Sequence, residues 1–268
     1  MVSTYAAYDG GKLVLPLQGN RPAPALASFV HAQLRALVLS PDFACLGARA
    51  AINQRTYRFG MYGSLGSQEA TLSLANDLQV FVDEWNASAS QDPTGFKAFI
   101  ASFDGPVPRS EEDFECLLWT QLQCLHQQDH AAWDPTVTSD PADPAFSFSF
   151  AGRAFFVVGL HPGSSRWTRR FAWPTLVFNA HEQFEYLRTQ GKFTRFRDAI
   201  RERELNLQGS NNPMLTDHGA ESEARQYSGR AVEAGWRCPF HAKASTDSHT
   251  ELPASAPRDE GDTPQVSG

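Results

Sequence analysis

The sequence predicts an α+β fold: a mainly antiparallel sheet with helices packed against it, closed by a disordered C-terminal tail. Three observations carry this. Short apolar or alternating runs and amphipathic helical stretches follow one another without a repeat. AFSFSFAGRAFFVVGL (145–160) reads as a hairpin whose second strand is buried on both faces. From Lys243 the chain turns polar, Pro- and Ser-bearing and poor in apolar residues. We therefore expect one domain over 1–242 and a tail over 243–268.

In chain order, residues 1–24 read as an extended arm punctuated by Gly and Pro. A helix is predicted from about Ala25 to Leu39, with Ala27, Val30, Leu34, Leu37 and Val38 near one face and Ser40-Pro41-Asp42 ending it. Phe43 to Ile52 is a small-residue stretch with no clear period. TYRFGMY (56–62) alternates as a strand, and Ser67 to Trp85 is helical. GFKAFIASFDG (95–105) reads as a strand ending at a Gly-Pro break. Ser110 opens the clearest helix, because its Glu-Glu-Asp run suits the positive end of the helix dipole. That helix runs to about Asp129, and a turn-rich loop follows Trp133-Asp134-Pro135. After the hairpin, Thr175 to Phe178 is a second buried strand. HEQFEYLRTQ (181–190) is a helix stopped by Gly191, and Phe193 to Leu205 is a highly charged helix.

Composition narrows the function classes. The chain has 268 residues, net charge −7 and a pI near 5.6, which argues against a general nucleic-acid binder. No apolar run approaches the ~18 residues a membrane span needs. The N-terminus lacks the basic and apolar parts of a signal peptide, so a cytoplasmic location is expected. Four cysteines are too few and too scattered for a disulfide scaffold. Against this acidic background, residues 151–240 carry 13 Lys and Arg but only 9 Asp and Glu. With 19 Phe and 6 Trp in the chain, such a basic, aromatic island suits an anionic ligand.

Candidate chemistry gathers in that island. His161 ends a buried strand at His-Pro-Gly, where the proline stops the ladder and Gly163 lets the chain turn. A histidine projected from a strand end can ligate a metal or haem iron, or simply hydrogen-bond within the turn. His181 stands in the matching place after the second strand, in the first turn of a helix, with the same two readings. Arg166, Arg169 and Arg170 form a cluster whose planar guanidinium groups suit carboxylates or phosphates, and Trp167 and Phe171 interleave with them. A solvated charge run is the alternative. His126 and His130 lack the glutamate of a zincin, since Gln127 follows His126, and Cys238 has no second pair at zinc spacing, so no zinc site is expected. Cys238 reads as a thiolate ligand or, more simply, a buried structural thiol. No phosphate-loop glycine pattern appears.

Longer motifs carry a resemblance. FFVVGLHPGSSRWTRRF (155–171), LVFNAHEQFEYLR (176–188), IRERELNLQGSNNPML (200–215), SEARQYSGR with WRCPF (222–240) and WDP (133–135) resemble the YqcI/YcgG family over about two-thirds of the chain. One departure is Phe43-Ala44-Cys45, where family members carry Phe-Pro-Cys. The resemblance implies a haem-dependent N-hydroxylase acting on guanidino nitrogens, chiefly of L-arginine, giving Nω-hydroxy-L-arginine in natural-product pathways such as D-cycloserine biosynthesis. A haem-binding or haem-sensing protein without turnover is the alternative.

The implied cofactor is b-type haem, held without covalent attachment because no C-x-x-C-H site exists. His161 is its first candidate iron ligand and His181 the second, while Arg166, Arg169 and Arg170 are candidates for the propionates. Glu182 is the first candidate for the catalytic carboxylate that pairs the substrate guanidinium, unless it only favours the helix N-terminus. Glu185, Glu223, Asn211, Asn212, Arg225 and Arg230 are the remaining substrate-binding candidates. O2 or H2O2 and an electron donor are the implied partners, with no nucleic acid or membrane.

Overall fold

The computed structural model describes residues 4–88, 96–214 and 221–243. The expected disordered tail after Lys243, and positions 215–220 of the loop after residue 208, lie outside the described residues. Among the described residues, eight strands form two sheets. β1 (Ala7–Asp9), β2 (Lys12–Leu15) and β3 (Arg21–Pro22) make a small antiparallel sheet where the sequence suggested only an extended arm. The main sheet has the order β4-β5-β8-β7-β6. Its strands are β4 (Tyr57–Ser64), β5 (Ala98–Gly105), β6 (Phe148–Phe150), β7 (Arg153–Leu160) and β8 (Thr175–Ala180). β4 and β5 pair in parallel, and the other three pairings are antiparallel. The sheet is thus mainly antiparallel and the fold is α+β.

Six α-helices accompany the sheets among the described residues: α1 (Ala25–Leu39), α2 (Leu46–Gln54), α3 (Gln68–Ser88), α4 (Glu111–Gln128), α5 (His181–Thr189) and α6 (Phe193–Gln208). Within those residues no helix is long and apolar enough to cross a membrane. Ser110 caps α4 by accepting the Asp113 N–H at 3.1 Å, and Glu111, Glu112 and Asp113 fill the first turn. α2 falls in the small-residue stretch. Its N-cap is the Cys45 thiol, which accepts the Ala48 N–H at 3.5 Å.

Strand alternation separates two cores. Phe99, Ala101 and Phe103 of β5, Phe155 and Val157 of β7, and Leu176 and Phe178 of β8 face α3 and α4. Ala98 and Ile100, Phe59 and Met61 of β4, and Leu160 face α1. Gly159 decides how close α4 comes to the sheet. A Cβ there would lie 2.5 Å from the Phe114 ring, so only glycine admits that contact. The hairpin turn places Ala151 and Gly152 at φ 52° and 73°, the pair of left-handed residues a type I′ turn needs. Alanine is strained there, and the Asp129 carboxylate holds it by accepting the Ala151 N–H at 2.9 Å.

Candidate functional site

The sheet face opposite α3 and α4 is only partly covered by α1. Over its β8 and β7 side, α5 and α6 form a roof, and a cavity of about 330 Å³ lies between. Its floor follows from strand parity: Ala98, Ile100, Val158, Leu160 and Val177 all fall on this face. In the roof, Phe193, Phe196 and Ile200 occupy i, i+3 and i+7 of α6 and share its inward side, next to Phe184 of α5. Leu34 and Val38 of α1 and Ala48 and Ala51 of α2 close another wall. The walls are therefore mostly apolar, and the few polar groups among them stand out.

At one end lie His181 and Glu223. Glu223 is largely buried, and its Oε1 accepts at 2.6 Å from both the Ser147 and the Tyr227 hydroxyls. Its Oε2 is 3.9 Å from His181 Nδ1. Burial pushes the Glu223 carboxyl up to about 7, against the pull of those two hydroxyls and of Arg188. The same burial, with the carboxylate alongside, pushes the Tyr227 phenol far above its ordinary value. His181 Nδ1 is 3.2 Å from Ser147 Oγ, and its Nε2 is 3.3 Å from the half-exposed Glu185 carboxylate.

Further along the wall is Arg169. Its guanidinium donates to the main-chain carbonyls of Tyr227 (2.9 Å) and Gly159 (3.4 Å). No carboxylate lies within ion-pair distance of it among the described residues. Burial lowers it to about 10, opposed by the field of nearby Glu204. Glu204 faces the cavity too but is committed elsewhere. It pairs with Arg166 at 2.8 Å and accepts the Asn212 N–H at 3.1 Å.

The structure thus divides the residues singled out from sequence. His181, Arg169, Glu223 and Asn212 line the cavity; His161, Glu182, Arg166, Arg170, Glu185, Asn211, Arg225 and Arg230 do not. Glu182, one residue after His181, points away from it along the helix surface. Its carboxylate accepts the Trp85 indole N–H at 2.6 Å and pairs with Arg153 at 3.1 Å. Arg166 is sunk against Glu204 and Ser210. Arg170 is exposed, donates to the Ser164 carbonyl at 2.6 Å and leans over Trp167. Glu185 pairs with Arg188 on the half-exposed side of α5. Asn211 is exposed. Arg225 reaches Glu221 and the Glu233 carbonyl, and Arg230 pairs with Glu115 at 2.8 Å. Cys238 lines a separate outer groove, and burial pushes its thiol to about 12, so it holds its proton. All four cysteines are free, and the described residues hold no cluster of three or more metal-binding side chains.

His161 goes to the other face of the sheet. Leu160 takes the cavity side, so its neighbour must take the α4 side, where the imidazole stacks on Phe114 with centroids 4.3 Å apart. It is 1% exposed, and neither ring nitrogen has a hydrogen-bond partner among the described residues. Burial lowers it from the ordinary 6.5 to about 4, so it is neutral at pH 7. The unfolded chain takes a proton below about 6.5 that the folded chain refuses until about 4. Its contribution is therefore full above pH 6.5 and is lost as pH falls toward 4, on the order of 3 kcal/mol in all and about 2 between pH 7 and 5. His161→Phe should melt with a smaller drop between those two pH values than the parent does. Equal drops would mean that His161 is not buried neutral.

Sequence reasoning missed Glu204 and the roof aromatics Phe193 and Phe196. The i, i+3, i+7 spacing of Phe193, Phe196 and Ile200 was the available signal, masked by the charges around it. It also missed Phe43 and Cys45 as cavity walls.

The YqcI/YcgG family profile matches residues 34–241. The YcgG protein of Bacillus subtilis (strain 168), described there as uncharacterized, is 27% identical over 208 residues, covering 74% of this chain and 80% of that protein. The YqcI protein of the same strain, also described as uncharacterized, is 25% identical over 200 residues, covering 73% and 75%. No solved structure matches the chain.

Proposed function

The chain belongs to the YqcI/YcgG family, and from that premise we propose that it is a haem-dependent monooxygenase that hydroxylates a guanidino nitrogen of L-arginine. One observation carries the reading. Among the described residues a buried guanidinium, Arg169, stands without a carboxylate partner in the wall of an apolar, aromatic-roofed cavity that also presents an imidazole, His181. A buried cation is costly unless an anion compensates it, so the wall is suited to an anionic group. Haem b asks for these three things together: apolar walls for the macrocycle, a ligand nitrogen for iron and a cation for a propionate.

In this reading His181 would hold the iron and Arg169 a propionate. When bound, haem supplies activation of O2 with an external two-electron donor, or of peroxide, so that one oxygen enters an N–H bond and the other leaves as water. The protein supplies the rest. Glu223, on the Nδ1 side of the ring, supports His181 from behind rather than touching the substrate. Arg188, Arg197 and Arg201 along the wall favour the α-carboxylate of the substrate. Holding the substrate by that end helps to fix which nitrogen is presented, and orientation of this kind supplies much of a rate enhancement. The apolar walls keep water from the reacting nitrogen.

The test is an absorption spectrum of the purified protein, expressed with haem supply, titrated with L-arginine. A Soret band that arginine shifts, a pigment that acid-acetone extracts and a product one oxygen heavier are expected. Replacing Arg197 and Arg201 together by methionine should weaken arginine binding roughly 10–150-fold, the worth of a charged hydrogen-bonded pair. Glu182→Gln should leave it near normal, with a slightly lower melting temperature. A colourless protein sinks the reading, and a pigmented one indifferent to arginine leaves only haem binding.

A further inference from the structure

Ser147 is fully buried and has a single hydroxyl proton to give. Two acceptors flank it, Glu223 Oε1 at 2.6 Å and His181 Nδ1 at 3.2 Å. The shorter contact lies in the range of an O–H donor on an ionised carboxylate. Tyr227 approaches the same oxygen at 2.6 Å, and its own lone pair is met by the Phe148 N–H at 3.0 Å. With its proton committed to Glu223, the Ser147 oxygen can only accept from the imidazole. Nδ1 must then carry a ring proton. Nε2 faces the half-exposed Glu185 carboxylate at 3.3 Å, so it is offered to a metal as a lone pair once Glu185 turns out toward Arg188.

We propose that Ser147 and Glu223, backed by Tyr227, form a carboxylate–hydroxyl–imidazole relay that fixes His181 as its Nδ1–H tautomer. Ser147 and Glu223 are thus positioning residues: they set the ring plane of His181 and choose Nε2 as the nitrogen offered to a metal. An imidazole that donates toward an anion is also the stronger electron donor through its other nitrogen. Ser147 and Tyr227 are fully buried, and the Glu223 side chain is 13% exposed. Ser147 precedes β6, and Glu223 and Tyr227 sit on one short 3-10 segment and its cap.

The inference rests on His181 being the iron ligand only for its use, not for its geometry, so its test needs no haem. Nitrogen-15 correlation spectra of the histidines, recorded on the full chain produced under iron limitation at pH 8.5, should show His181 as Nδ1–H. Ser147→Ala should shift it toward Nε2–H or an even mixture, and Ser147→Thr, which keeps the hydroxyl, should restore the parent pattern. Amide spectra of each variant report whether the fold is intact. An Nε2–H parent, or an Nδ1–H form that persists unchanged in Ser147→Ala, overturns the relay. In pigmented protein, Ser147→Ala should also move the iron reduction potential upward while Ser147→Thr leaves it near the parent value. Loss of pigment from the parent itself would instead count against haem binding, with the tautomer result standing on its own.

Discussion

His181→Ala is expected to lose haem entirely, whereas His161→Ala is expected to stay pigmented and be less stable. In sequence each histidine stands at the end of a buried strand, and His161 ranks first as ligand. They differ in what surrounds them. His181 shares the cavity wall with Arg169 and Glu223, while His161 is wedged against Phe114 in the α4 core. Removing His161 leaves a hole in that core and should cost about 2–5 kcal/mol, as other large-to-small core changes do. Removing His181 opens a polar end of the cavity and costs less stability, but takes away the only cavity-lining imidazole among the described residues. Imidazole added to His181→Ala should recover part of the Soret band. Pigment kept by His181→Ala and lost by His161→Ala would reverse the assignment.

Glu204→Ala should be among the most destabilising single changes, at about 3–5 kcal/mol, or roughly 6–20 °C in melting temperature. Both partners of the Arg166–Glu204 pair have 7% side-chain exposure. Truncating the glutamate strands a buried guanidinium and frees the Asn212 N–H. Replacing both partners together, for example by Met and Leu, should recover most of the loss, because the penalty lies in the orphaned charge rather than in the pair. A melt of Glu204→Ala within 2 °C of the parent would show that water reaches Arg166 and the pair is not a buried one.

The elements with strong periodicity were legible: α1, α4, the β6–β7 hairpin and the β8–α5 junction stand where the sequence put them. α2 was not, because LGARAAINQ offers small residues without an apolar stripe and a cysteine in place of an ordinary cap. The site was half legible. The two motifs around His161 and His181 are legible, but closeness in sequence is not closeness in space. Glu182 follows His181 by one residue, and one helical step of about 100° turns it to another face. Likewise, Leu160 and His161 are neighbours that strand parity sends to opposite sides of the sheet. Of three clustered arginines only Arg169 reaches the wall, since a tight turn fans its side chains apart. Parity and helical phase are in the sequence. Which side of the sheet would carry the cavity depends on α5 and α6 crossing it, and no local pattern says so.

The strand order has a further consequence, for synthesis. β5 pairs with β8, which begins about 70 residues later in the chain. At roughly 5–20 residues per second, about 4–14 seconds separate their emergence from the ribosome. During that interval β4, α3 and β5 can close on one another locally, while β5 offers an open, hydrophobic hydrogen-bonding edge. The cavity floor is drawn from both sides of this late seam, so the site comes into being only when the last strand arrives. Chains that stall or are cut between β5 and β8 should aggregate rather than persist as half-formed binders.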